Sequence, residues 1–257
     1  VFELHSIPQA EAQALVNSSR GEYSTAQTLL IPPSVIMASL EAVAFARDVK
    51  SAAPTTLLGL EGWYEFEHPG GKFEVCLRPG GAFYCPRFCE NSRWCVKPGS
   101  NTLAIAWGRY GCYELDVVSQ SPLAFSGSLL GKPDDWRKMS MKGGFTPSEA
   151  KLLGAGGTGS EWMFQHAGGE FTVQFRGDGY NHFVCQSYPA HAHWTLGGDN
   201  RDELTIHWEQ YGTYELRVDG AAGAAQGCLK GVPDDWRKMR FLRDLESAVA
   251  AEECQHH

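Results

Sequence analysis

The residues best suited to chemistry are histidines. His191, His193 and His207 fall close together in the last third of the chain. His191 and His193 are two apart, so on an extended strand they share a face. A hairpin turning through Gly197 to Asp202 would bring His193 beside His207. Three imidazoles on one face could hold zinc, with Glu209 as a fourth ligand or a base. His191, His193 and His207 are therefore the candidate metal ligands, and zinc is the one cofactor they suggest. The plainer reading is a wet strand face that carries histidines, because His-x-His alone has little specificity.

The cysteines are a second group. Cys76, Cys85, Cys89, Cys95 and Cys112 cluster in one third of the sequence. Their spacing lacks the paired C-x2-C knuckles of a structural zinc site. Free thiols are the expectation. A third group is the segment Pro-Asp-Asp-Trp-Arg-Lys-Met, present at 133–139 and again at 233–239. Its aspartates suit a turn or helix start better than acid–base work. The Trp would plug a barrel end and the Arg would pair an aspartate. There is no Gly-x-Ser-x-Gly elbow and no glycine-rich loop leading into a helix. No catalytic residue is assigned.

These residues sit within a duplication. Leu103-x-Ile105-x-Trp107-x-x-Tyr110-Gly111-x-Tyr113-Glu114-Leu115 matches Leu204-x-Ile206-x-Trp208-x-x-Tyr211-Gly212-x-Tyr214-Glu215-Leu216. His68-x-Gly70-Gly71-x-Phe73 matches His166-x-Gly168-Gly169-x-Phe171, and Trp94 matches Trp194. The offset is near one hundred residues, which marks two copies of one structural unit. Of the five clustered cysteines only Cys85 has a counterpart, Cys185. The other four align with Gln174, Pro189, Thr195 and Thr213. His182, His191, His193 and His207 have no histidine partner in the first copy.

Apolar and polar residues alternate through Phe73, Val75 and Leu77 and again through Phe171, Val173 and Phe175, the period of half-buried strands. Turn signals about every ten residues indicate hairpins. The predicted fold is mainly β: a tandem duplication of a six- to seven-stranded antiparallel barrel or sandwich unit. Flanking helices are expected at the N-terminus, in the linker and at the C-terminus. The expected organisation is a helical extension over 1–54, β repeat one over 55–141, a linker with a short helix over 142–160, β repeat two over 161–239 and a closing helix over 240–257. The N-terminal helix should turn Ile36, Leu40, Val43 and Ala44 inward. Thr146 should cap the linker helix, which Gly154 ends, and the run from Gly154 to Gly159 should be a flexible joint. Phase places Trp94, Trp107, Trp194 and Trp208 in the cores, while His68 and His166 cap hairpin turns.

The 257-residue chain is 43% hydrophobic with a net charge of −8, which excludes a disordered polymer and disfavours nucleic-acid binding through the overall field. No stretch is long and apolar enough for a transmembrane helix. The leading functional expectation is a non-catalytic interaction or structural protein. Its partners would be proteins, such as a plastid or mitochondrial membrane complex that it joins as an extrinsic subunit. The start at Val1 fits removal of a targeting peptide, with the cytoplasm as the alternative compartment. Two further functional expectations are a carrier of a small apolar ligand or pigment in an aromatic-lined barrel, and a metal-dependent enzyme using the histidines.

Overall fold

The structure is a computed structural model that describes residues 42–49 and 59–246, all within one compact unit, Ala38–His257. Each copy forms eight strands rather than six or seven. The first contains β1 (Gly62–His68), β2 (Gly71–Leu77), β3 (Phe83–Tyr84), β4 (Ser92–Val96), β5 (Thr102–Trp107), β6 (Cys112–Gln120), β7 (Leu123–Leu129) and β8 (Lys132–Gly143). The second contains β9 (Gly159–His166), β10 (Gly169–Arg176), β11 (Phe183–Val184), β12 (His193–Gly197), β13 (Glu203–Trp208), β14 (Gly212–Asp219), β15 (Ala224–Leu229) and β16 (Val232–Asp244). Every neighbouring pair is antiparallel, and β1 pairs with both β2 and β8, so chain order runs round a barrel. A single bridge, Ala82 with Arg93, closes barrel one, and His182 with His193 closes barrel two. Closure removes the exposed edges that an open meander of this size would leave.

The alternation predicted from sequence fills both interiors with rings. Phe66, Phe83, Trp94, Trp107 and Phe125 are buried in barrel one, and Trp162, Phe164, Phe175, Trp194 and Trp208 in barrel two. Neighbouring rings sit mainly edge to face, with Phe83 and Trp107 centroids 4.8 Å apart and Phe183 and Trp208 also 4.8 Å apart. Each ring of this kind removes roughly 150–250 Å² from water. The indole donors are also satisfied, Trp94 Nε1 by Arg78 O at 3.0 Å and Trp194 Nε1 by Arg176 O at 3.1 Å.

Two helices are described. Residues 42–49 form α1, which turns Phe45, Ala46 and Val49 onto barrel one while Val43 and Ala44 face water. The expected inward pair Val43 and Ala44 is thus one step out of phase, and Ile36 and Leu40 lie outside the described residues. Helix α2 (Pro147–Leu153) carries the expected capping box: Thr146 Oγ1 accepts from Glu149 N, and Glu149 Oε2 accepts from Thr146 N. Residues 240–244 do not open a helix. They extend β16 along β9, with Phe241 opposite Trp162 and Asp244 opposite Ser160. The rest of the expected closing helix lies outside the described residues.

The segment after α2 is a packed joint rather than a flexible one. A Cβ on Gly157 would lie 1.9 Å from Pro79 O of barrel one, and one on Gly179 would lie 1.9 Å from Glu90 O. The barrels therefore touch backbone to backbone. Around these contacts, Trp63, Cys76 and Tyr84 form a buried cluster on the outside of barrel one. Their counterparts in barrel two, Glu161, Gln174 and Val184, include a polar pair, with Gln174 Nε2 donating to Glu161 Oε1 at 3.0 Å. Trp63 Nε1 donates to Glu149 Oε1 at 2.7 Å, and the Arg201 guanidinium lies 3.7 Å from the Trp63 ring centre. Arg78, only 2% exposed, donates to Asp178 O at 2.8 Å and Asn181 Oδ1 at 2.6 Å across the joint.

The copy-specific cysteines now have a physical explanation. Cys95 and Cys112 join Ala104 and Ala106 in a small-residue floor beneath α1. The matching positions in barrel two are Thr195, Thr213, Thr205 and His207, which are bulkier and polar. Cys76 and Cys89 belong to the cluster at the barrel joint. Small apolar side chains let these outer faces accept a helix or a second barrel.

Candidate functional site

The hairpin of β12 and β13 brings His193 directly opposite His207, as expected from the turn spacing. Their rings are stacked, 28° from parallel, with centroids 5.0 Å apart. His191 lies 6.2 Å from His193, and His182 lies 6.3 Å from His191. His182, His193 and His207 thus form a row across three neighbouring strands on the outside of barrel two. His182 also lies on the closing bridge. Asp178 Oδ2 is 2.6 Å from His182 Nδ1, and Glu209 Oε2 accepts from the backbone N–H of His191 at 3.0 Å. Among the described residues, no group of three or more His, Cys, Asp or Glu is arranged to hold a metal ion. The structure therefore gathers His191, His193 and His207 without converging them on one point. Desolvation, followed by the neighbouring imidazoles His207, His191 and His182, lowers the His193 pKa.

The second site is duplicated. The Pro-Asp-Asp segments are neither turns nor helix starts. In β8, Trp136 pairs with Ser128 and Lys132 with Leu129, leaving Pro133, Asp134 and Asp135 bulged out. In β16, Trp236 pairs with Cys228 and Val232 with Leu229, which makes the same bulge from 233 to 235. A bulge re-aims the strand beyond it. Here Arg137 and Arg237 turn inward and are buried, while Trp136 and Trp236 turn outward and are 36% and 41% exposed. The tryptophans therefore do not plug the barrels.

The expected Arg–Asp pairing is present. Arg137 Nη1 meets Asp135 Oδ1 at 2.5 Å, and Arg237 makes the same pair with Asp235. Each guanidinium also faces a tyrosine ring, Tyr113 at 5.3 Å and Tyr214 at 5.0 Å. The bonds from Arg137 and Arg237 hold the carboxyls of Asp135 and Asp235 below the usual range. Lys138 and Lys238 lie over the exposed Trp rings at 5.2 and 5.7 Å. Sequence reasoning found the motif but missed which way its Trp faces. The signal was available: Met139 and Met239 are apolar, which puts Arg137 and Arg237 inside and the tryptophans outside.

Comparison with known proteins finds no match among family models, curated proteins or solved structures. Its function has to be read from its own geometry.

The remaining predicted sites behave as structural groups. His68 Nδ1 accepts from Gly70 N at 3.3 Å, and His166 Nδ1 from Gly168 N at 3.3 Å, the expected turn caps. Cys76, Cys85, Cys89, Cys95, Cys185 and Cys228 are free thiols, and Cys254 lies outside the described residues. Burial pushes the Cys76 thiol up to about 12 and the Cys85 thiol up to about 11, so neither is an available thiolate nucleophile at neutral pH. No described helix is long and apolar enough to cross a membrane.

Proposed function

We propose that the protein is a non-catalytic interaction scaffold, two docked barrels that each present one tryptophan to a protein partner. The observation that carries this is the duplicated bulge. Both copies use a buried arginine, paired with a half-exposed aspartate, to fix a strand whose tryptophan is left facing water. A core role would have turned that ring inward. Exposed tryptophans beside a cation are common energetic anchors of protein interfaces. The ring-on-ring packing inside both barrels supports a binding surface on the outside over a ligand held within. The same reading extends to an extrinsic subunit of a membrane complex, with the barrels as the part docked on the membrane-embedded partners.

The test is a photo-crosslinking amino acid placed in turn at positions 136 and 236, in extract from the native source. A partner captured at either position, and not from an exposed control such as position 118, supports the proposal. Capture that does not depend on position, or none at all, counts against it.

A further inference from the structure

We infer that the cavity at the joint between the barrels binds a small carboxylate, held at its head by Arg78 and Tyr84 and along its tail by Leu153 and Leu196. The cavity is about 60 Å³ and takes its walls from barrel one, barrel two and α2. A buried water needs about 10–15 Å³ of such space, so there is room for roughly four to six non-hydrogen atoms. The site lies at the joint rather than inside either ring-filled barrel, and it does not depend on the exposed tryptophans.

Arg78 carries the argument. It is 2% exposed, yet among the described residues no carboxylate pairs with it. Its Nη1 donates to two neutral acceptors, Asp178 O and Asn181 Oδ1. Its Nε is buried without a partner. The acidic groups nearby are engaged elsewhere. The Asp178 carboxylate is held by His182. Glu149 lines the cavity, but it accepts from Trp63 Nε1 and Thr146 N and lies 3.7 Å from Arg201 Nε. Glu74 bridges Arg201 and Lys142. Burial pushes the Cys76 and Cys89 thiols up, so neither supplies a thiolate. A buried cation without a counter-charge is costly. Its Nε lies on the guanidinium edge that a carboxylate binds as a fork. Two guanidiniums and one carboxylate line the cavity, which leaves one positive charge in excess, the balance that suits a monoanion.

Tyr84 is the second donor. Its ring centre lies 4.1 Å from the Arg78 guanidinium carbon. Its hydroxyl makes no hydrogen bond among the described residues, and burial raises its pKa, so it stays a protonated donor. Leu153 from α2 and Leu196 from β12 make an apolar wall, which suits a tail of a few carbons and disfavours sulfate or phosphate. The site belongs to the first copy alone. Tyr84 is matched by Val184, and Arg176, the match of Arg78, bonds to Gln174 on its own strand.

The experiment is a titration of the full chain with sodium propionate at constant ionic strength, followed by the Arg78 Nε–H signal in proton–nitrogen NMR. That signal is assigned by its loss in Arg78→Lys, and the Arg176 Nε–H signal is the internal control. The site predicts a saturable shift at Arg78 and none at Arg176. Sodium sulfate in place of propionate should leave Arg78 unshifted. Tyr84→Phe, which keeps the ring on the guanidinium, should weaken propionate binding on the order of tenfold. Leu196→Trp, which fills the cavity without removing a polar group, should abolish it. No saturable shift in wild type, equal shifts at both arginines, or sulfate binding as tightly as propionate overturns the inference. Binding unchanged in both variants overturns it too. If a variant does not fold, the wild-type titration still decides.

Discussion

Arg78 and Arg176 occupy matched positions in the two copies but have different surroundings, and that difference makes a sharp prediction. The Arg78 guanidinium makes two charge-assisted bonds across the barrel joint and lies 4.1 Å from the Tyr84 ring centre. Bonds of this kind contribute about 1.5–3 kcal/mol each, and the ring contact about 0.5–2 kcal/mol. Desolvation offsets part of this, because Arg78 Nε is buried without a partner. Replacing Arg78 with Leu keeps the apolar stem but strands Asn181 Oδ1 and Asp178 O. The net loss should be about 2–4 kcal/mol. Arg176 makes one side-chain bond, to Gln174 on its own strand, so Arg176→Leu should cost less than about 1 kcal/mol. Urea unfolding followed by tryptophan emission and far-UV circular dichroism measures both. Arg78→Leu should also break the cooperativity between barrels, giving two transitions or a reduced m value. Equal losses in the two variants would refute the assignment of Arg78 as the coupling residue.

Three further outcomes follow from the same geometry. Gly179→Ala should destabilise the protein by about 1–3 kcal/mol, read by urea unfolding, because the new Cβ would lie 1.9 Å from Glu90 O of the other barrel. Converting the α1 floor to its barrel-two residues, Ala104→Thr with Ala106→His, should expel α1 and expose residues 42–49 to limited proteolysis while both barrels stay folded. The Arg137–Asp135 pair should contribute stability above about pH 4, where unfolded aspartates ionise, and lose it as pH falls further. Comparing acid unfolding of wild type with Asp135→Asn checks this, and the variant should show the smaller pH dependence.

Much of this architecture was legible in the sequence. The duplication, the strand phase that buries Trp107 and Trp208, the Thr146 capping box and the meeting of His193 with His207 all depend on local spacing. What was missed depends on distant pairing. Phe241 and Leu242 look helical in isolation, but β9 offers an unpaired edge and residues 240–244 complete it. Pro133-Asp134-Asp135 reads as a turn, yet the strand resumes beyond it as a bulge, which supplies the eighth strand of each barrel. The lone cysteines of copy one carried a signal in their size: each replaces a bulkier residue of copy two where something must dock. The candidate zinc ligands share a face, as their spacing required, but spacing could not say whether their rings converge.

The proposed role of Trp136 and Trp236 is to anchor a protein partner on the outside of the two barrels. The most direct measurement is mild affinity isolation of the full chain from its native source, with mass spectrometry, for wild type and for the Trp136→Ala, Trp236→Ala double variant. The account predicts a partner at defined stoichiometry with wild type, lost in a double variant whose thermal unfolding is unchanged. A partner retained by the double variant, or wild type isolated alone, would contradict it.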